Sequence, residues 1–121
     1  MPEYWFDHVH LISPDPAKTA EFYENMFGAR KVIRDLGNGR VLVELNLSGA
    51  TILISKQADD SAQLGLIHFG VRTDNLNEAV EELKAKGVEF TKDITEVRPG
   101  FKISFLLAQE DVSIELQEGG L

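Results

Sequence analysis

The chain has 121 residues, 43% of them hydrophobic and 26% charged, which is the size and composition of one folded domain rather than of a disordered segment. Its formal net charge of −8 argues against nucleic acid or an anionic membrane surface as the main partner, because phosphate groups are bound by clustered Lys and Arg. The absence of cysteine excludes a disulfide framework, a zinc–thiolate site, an iron–sulfur cluster and a cysteine nucleophile.

The first half of the chain predicts one strand, one helix and three more strands. Residues 6–12 alternate in the manner of a strand, with His8 and His10 on one face and apolar side chains on the other. A helix is predicted over residues 17–27, and Gly28 ends it. The apolar stripe of this helix consists of Ala20, Tyr23, Met26 and Phe27. Three strands separated by turns follow, at 31–36, 40–47 and 51–55.

The second half repeats this order. A strand at 66–71 precedes a helix over about 76–86, which Asn75 and Glu78 begin in the manner of a capping box. Three further strands are predicted, starting at 89–90 and then at 102–107 and 112–117. The polar stretch 57–64 is the expected linker. It divides a first module of about 4–56 from a second module of about 65–118.

The two modules align as an internal duplication. His8 matches His68, and the helix-ending Gly28 matches Gly87. Agreement in helix start, helix stop and strand order predicts an α+β fold in which two βαβββ modules form one domain over residues 1–121. Since each helix must cover one face of the sheet, we expect a cupped mixed sheet with both helices on its convex side.

Strand alternation then predicts a group of metal ligands on the open face. His8, His68 and Glu115 all fall on the face turned away from the helices. Two histidines and one carboxylate form the facial-triad arrangement that suits a divalent metal such as Fe(II), with Mn, Co, Ni or Zn as alternatives. Taken singly, each residue also has a simpler interpretation, a hydrogen-bonded structural histidine or a solvent-facing glutamate.

Other polar residues share that face or border it. His10 is interpreted as a fourth ligand, as a general acid or base, or as a hydrogen-bond partner without chemistry. Glu44 is either a base beside the metal or a residue of the rim. Arg72 and Lys102 are candidates for binding a substrate carboxylate, with plain surface roles as the alternative.

Three segments resemble the vicinal-oxygen-chelate superfamily, the group of glyoxalases, bleomycin-resistance proteins and dioxygenases. They are Asp-His-Val-His-Leu at 7–11, Leu-Ile-His-Phe-Gly-Val at 66–71 and Ser-Ile-Glu-Leu at 113–116. The resemblance covers nearly the whole chain and implies a metal held by His8, His68 and Glu115, often within a homodimer. The family's fourth ligand position is Leu53 here, where glyoxalase I and methylmalonyl-CoA epimerase commonly have Glu or Gln. Three protein ligands are typical of the family's extradiol dioxygenases.

The resemblance implies a metal-dependent enzyme acting on a small oxygenated molecule. Glyoxalase-like lyase or isomerase chemistry through a metal-bound enediolate or enolate is the first expectation, with His10 or Glu44 moving the proton. An Fe(II)-dependent extradiol-type dioxygenase and a non-catalytic small-molecule binding or resistance protein are the alternatives. The start of the chain lacks a basic region followed by an apolar stretch, so we expect a cytoplasmic protein. Trp5 and Phe6 suggest an interface of a homodimer.

Overall fold

The structure, a computed structural model, describes residues 2–120. Within this range a strand, a helix and three strands follow one another twice, which confirms the predicted α+β fold of two βαβββ modules. The elements are β1 (Tyr4–Ser13), α1 (Pro16–Phe27), β2 (Arg30–Gly37), β3 (Arg40–Leu47), β4 (Ala50–Lys56), β5 (Gly65–Thr73), α2 (Leu76–Ala85), β6 (Glu89–Arg98), β7 (Phe101–Leu107) and β8 (Ser113–Glu118). A single 3₁₀ turn, Gln109–Asp111, lies between the last two strands. No helix of the described chain is long and apolar enough to cross a membrane.

The chain forms two compact units whose limits fall inside strands. The first unit comprises residues 8–67, and the second comprises residues 2–7 together with 68–120. The beginning of β1 therefore belongs to the second unit, where the Glu3 backbone N–H donates to Asp74 Oδ1 at 3.0 Å. Asp7 and Arg72 form an ion pair of 3.0 Å in the same unit.

In the first unit the strands lie in the order β2-β3-β4-β1, with β1 and β4 parallel and the other pairs antiparallel. Helix α1 begins at Pro16, and the preceding Asp15 accepts a hydrogen bond from the Lys18 backbone N–H at 3.2 Å. The helix ends at Gly28, whose φ of 72° is left-handed. The hydrophobic core between this helix and the sheet consists of Ala20, Ala29, Val43, Leu45 and Ile54.

Two residues of the predicted stripe of α1 are not in that core. Met26 is 63% exposed and Phe27 is 59% exposed, so their predicted burial is wrong. Met26 is about a third of a turn away from Ala20 around the helix, which puts it outside the face that meets the sheet. Phe27 lies in the last turn and packs its ring against Phe22 and Tyr23 instead, with centroids 6.1 and 6.3 Å away.

In the second unit the order is β5-β8-β7-β6, with the first residues of β1 beside β5. The β5–β8 pair is parallel, and the remaining pairs are antiparallel. Helix α2 packs on the sheet through a core of Leu76, Ala79, Val80, Leu106 and Leu116. Asn75 caps the helix by accepting from the Glu78 backbone N–H at 3.0 Å. The Glu78 side chain accepts a second hydrogen bond, from Asn75 Nδ2 to Oε2 at 3.3 Å, so it contacts the side chain of Asn75.

The strand registers confirm the internal duplication. In the first unit His10 on β1 is the partner of Leu53 on β4. In the second unit Gly70 on β5 is the partner of Glu115 on β8. Both pairs belong to a parallel pairing of the first and last strands of a module, so Leu53 and Glu115 occupy equivalent positions.

Candidate functional site

The first unit places two histidines on the face of β1 that is turned away from α1. His8 is only 2% exposed, and the rings of His8 and His10 meet edge to face with centroids 6.1 Å apart. Leu53, 7% exposed, lies beside His10 on the neighbouring strand. The position equivalent to Glu115 is therefore filled by a buried apolar side chain that offers no ligand atom.

His10 is held by a short hydrogen bond. Its Nε2 lies 2.6 Å from Ser55 Oγ on β4. Burial, and after it the neighbouring His8, lower the pKa of His10 to about 4. The ring is therefore neutral at neutral pH, with one nitrogen donating and the other accepting. A neutral imidazole can bind a metal, accept a proton or exchange a hydrogen bond with Ser55, so all three predicted roles of His10 remain chemically open.

Glu44 shares this face and is anchored by an arginine. Arg34 on β2 donates from Nε to Glu44 Oε1 at 2.9 Å and from Nη2 to Oε2 at 3.4 Å. The two bonds hold the carboxylate in one orientation. The register pairs Glu44 with Leu53 across β3 and β4, so Glu44, Leu53 and His10 form one row across three strands. Arg34 was not predicted, because its place diagonally across from Glu44 depends on the β2–β3 register.

The second unit brings His68 and Glu115 to one face of its own sheet. His68 is 9% exposed, and its ring packs edge to face on Phe105 with centroids 5.2 Å apart. Glu115 lies across from Phe105 on one side and from Gly70 on the other. The three residues Phe105, Gly70 and Glu115 therefore form a row in which β5 contributes no side chain. Phe105 was not among the residues predicted for this face.

The two predicted carboxylate-binding cations have different surroundings. Arg72 lies on the face of Glu115, since it is the partner of Gln117, and it is already paired with Asp7. Gln117 is buried and donates from Nε2 to the Gly119 carbonyl at 3.0 Å. Lys102 is the partner of Glu118, and alternation puts both on the α2 face. Lys102 therefore lies on the wrong face to bind a substrate beside Glu115.

The side chains at the predicted ligand positions fit a divalent metal. The first unit offers two imidazoles, and the second offers an imidazole and a carboxylate, each set on one face of a sheet. Nitrogen and oxygen donors of these kinds bind Fe, Mn, Co, Ni and Zn. Burial of His8 and His68 limits the competing solvation of their rings by water.

Comparison with known proteins places the chain among proteins of one family. A sequence model of the Glyoxalase/Bleomycin resistance protein/Dioxygenase superfamily matches residues 5–116. The uncharacterized protein YwkD of Bacillus subtilis (strain 168) is 26% identical, over 92% of this chain and 94% of its own length.

Solved structures share the fold. A hypothetical protein from Bacillus halodurans C-125 superposes with a TM-score of 0.81 at 16% identity, over 98% of this chain and 96% of the other. Methylmalonyl-CoA epimerase from Mycobacterium tuberculosis superposes with a TM-score of 0.75 at 22% identity, over 96% of this chain and 88% of the epimerase.

Proposed function

The chain belongs to the glyoxalase/bleomycin resistance protein/dioxygenase superfamily, and from this we propose that it is a metal-dependent enzyme acting on a small oxygenated molecule. The proposed metal ligands are His8, His68 and Glu115. The observation that carries the proposal is the presence of a buried histidine at the equivalent position of both modules, each on the face of its own sheet turned away from the helix. In the second unit that face also carries Glu115. Burying an imidazole without a chemical role is unfavourable compared with an apolar side chain.

A divalent metal at these donors would polarise a carbonyl or hydroxyl oxygen of the substrate. The residues around these donors would leave room for oxygens of the substrate and provide an apolar surface for its carbon skeleton. Leu53 offers no donor atom, so the protein would supply three ligands from these positions and would leave other metal positions for substrate oxygens. Phe105 offers an apolar wall beside Glu115, against which a carbon skeleton can pack.

We assign movement of a proton to His10 or Glu44. A reaction of the glyoxalase or epimerase kind removes a proton from the carbon beside a carbonyl and returns a proton either to the neighbouring carbon or to the opposite face of the same carbon. Ser55 fixes the His10 ring, and Arg34 fixes the Glu44 carboxylate, so both groups are held in one orientation. The fold shared with methylmalonyl-CoA epimerase supports isomerase or lyase chemistry as the first choice.

The second candidate is an Fe(II)-dependent dioxygenase of the extradiol type. Leu53 favours it, because that reaction needs two open metal positions for a bidentate substrate and one for oxygen.

We further propose that the enzyme acts in the cytoplasm as a homodimer. The exposed rings of Trp5 and Phe6 at the start of β1 support an interface with a second copy.

Metal analysis of the purified protein tests the site. After removal of metal and anaerobic loading with Fe(II), Mn, Co, Ni or Zn, we expect about one tightly held ion per chain. His68→Ala and Glu115→Gln should each weaken binding at least about tenfold. Glu96→Gln, which removes an exposed carboxylate from β6, is the matched control and should leave binding unchanged. Unchanged metal content in His68→Ala would show that the ligand assignment is wrong.

Substrate chemistry then separates the candidates. The isomerase or lyase proposal predicts exchange of a carbon-bound hydrogen with deuterium from the solvent, without consumption of oxygen. Oxygen consumption that requires Fe(II) and a catechol supports the dioxygenase instead. A protein that binds such compounds tightly without metal and without turnover would be the non-catalytic member of the family.

A further inference from the structure

A cavity of about 620 Å³ lies in the second unit, on the α2 side of its sheet. Its floor is apolar and is formed by Val71, Leu83, Leu106, Ile114 and Leu116. Ile114 and Leu116 flank Glu115 on β8, so alternation turns their side chains to the opposite face. The cavity and the proposed metal ligand Glu115 are therefore on opposite faces of one sheet, and the cavity is a separate site.

The volume and lining are those of a ligand site. Pockets that bind small molecules usually measure about 300–1,000 Å³ and have an apolar lining with a few polar groups at fixed positions. At the mouth of this one, the partly exposed ring of Tyr4 adds an aromatic surface. An aromatic face attracts a cation through its quadrupole.

The rim carries unbalanced negative charge. Glu89 and Asp111 both line the cavity and are exposed. Within residues 2–120 neither carboxylate forms an ion pair. Lys86 also lines the cavity, but its Nζ already pairs with Glu82 Oε1 at 3.3 Å, one helical turn earlier. The residues that end α2 add the partial negative charge of a helix C-terminus.

Asp111 lies at the rim in a turn with an unusual backbone conformation. Glu110 and Asp111 both have positive φ, 57° and 58°, in the 3₁₀ turn between β7 and β8. Two successive left-handed residues other than glycine are uncommon and unfavourable. Gln109 and Asp111 of this turn both line the cavity.

We propose that this cavity binds a small amphipathic cation, an amine with an aromatic or aliphatic body. The apolar floor takes the body of the ligand, and the ammonium group lies at the rim between Glu89 and Asp111, beside the ring of Tyr4. A ligand with an anionic head group would meet two carboxylates and the end of a helix dipole, which repel it.

Three probes of nearly equal shape test the charge preference on the full chain: 4-phenylbutylamine, 4-phenylbutanol and 4-phenylbutyrate. Titration followed by methyl NMR should shift Leu83, Leu106 and Ile114. We expect the amine to bind at least about fivefold more tightly than the alcohol, because one or two partly exposed charge pairs contribute about that much binding free energy. The carboxylate should bind more weakly than the alcohol. Equal affinities for amine and alcohol, or tighter binding of the carboxylate, would overturn the proposal.

Charge-removing variants locate the ammonium group. Glu89→Gln and Asp111→Asn should each weaken amine binding several-fold and leave alcohol binding unchanged. Glu81→Gln removes an exposed carboxylate of α2 that does not line the cavity, and it is the matched control. Glu115→Gln should leave amine binding unchanged, because Glu115 is on the other face. Loss of amine binding in Glu115→Gln, or equal losses in Glu81→Gln and Glu89→Gln, would assign the amine to a different place.

Discussion

Glu115 on β8 lies directly across from Gly70 on β5, and the same position of the first module pairs Leu53 with His10. In the second unit the carboxylate of Glu115 thus lies beside a glycine, which has no side chain. In the first unit the apolar side chain of Leu53 lies beside the imidazole of His10. This exchange of residue types at equivalent positions makes the proposed site chemically asymmetric. It also suggests a direct way to alter the site.

Leu53→Glu restores a carboxylate at the position that lacks one. Leu53 is buried, so we expect the metal-free variant to lose about 2–4 kcal/mol in free energy of unfolding, as buried leucines and unpaired carboxylates do. Metal should recover a large part of that loss, because a coordinated carboxylate is no longer an unpaired buried charge. Urea denaturation with and without metal measures both effects.

The matched control for this change is Leu45→Glu, which buries a carboxylate in the core beneath α1, away from the face of His10. It should be destabilised in the same way and gain nothing more from metal than the unmodified chain does. If metal stabilises both variants equally, Leu53 does not adjoin a metal.

Variants of Glu44 and Arg34 distinguish an effect on catalysis from an effect on stability. Their ion pair is partly exposed, so Arg34→Gln should change the free energy of unfolding very little. If Glu44 moves the proton, Glu44→Gln should lower kcat about 100-fold or more, and Arg34→Gln should lower it less, since the carboxylate remains but loses its anchor. Steady-state kinetics measures both. Lys84→Gln breaks the exposed pair with Asp93 and serves as the control.

Tyr4 makes the second unit sensitive to alkaline pH. Burial, and then the charge of Glu82, raise the pKa of Tyr4 above its ordinary value of 10.0. The unfolded chain therefore loses the phenol proton at lower pH than the folded chain, and the stabilising contribution of Tyr4, complete below about pH 10, disappears as pH rises further. Absorbance titration of the phenolate should detect the shift, and it should be missing in Tyr4→Phe.

Gly119 is fixed by contact as well as by conformation. Its φ is 77°, and a Cβ there would collide with the backbone carbonyl of Gly100. Gly28 has a similar φ of 72° with open space around it. We expect Gly28→Ala to cost about 1 kcal/mol in free energy of unfolding, from the left-handed conformation alone. Gly119→Ala should cost clearly more, because the backbone must shift too. Equal losses in urea denaturation would mean that the Gly100 contact is loose.

The fold could be predicted from the sequence because its signals are local. Alternation in β1 and β5 assigned His8 and His68 to one kind of face. Gly28 marked the end of α1 and Asn75 the start of α2 correctly. These signals depend only on residues close together in the chain.

Features that depend on tertiary packing escaped prediction. The contact between Arg34 and Glu44 requires the register of a hairpin, and the exposure of Phe27 requires knowing where α1 leaves the sheet. The cavity under α2 combines Tyr4 with residues more than sixty positions away, which no local pattern reveals.

The division of β1 between two units has a consequence for synthesis on the ribosome. Residues 2–7 leave the ribosome before residues 8–67, yet they belong to the unit that contains residues 68–120, which follow later. More than sixty further residues must therefore be synthesised before the segment that carries the exposed rings of Trp5 and Phe6 can join its unit. A nascent chain stalled near the linker would display this apolar end, which makes it a natural target for chaperones during translation.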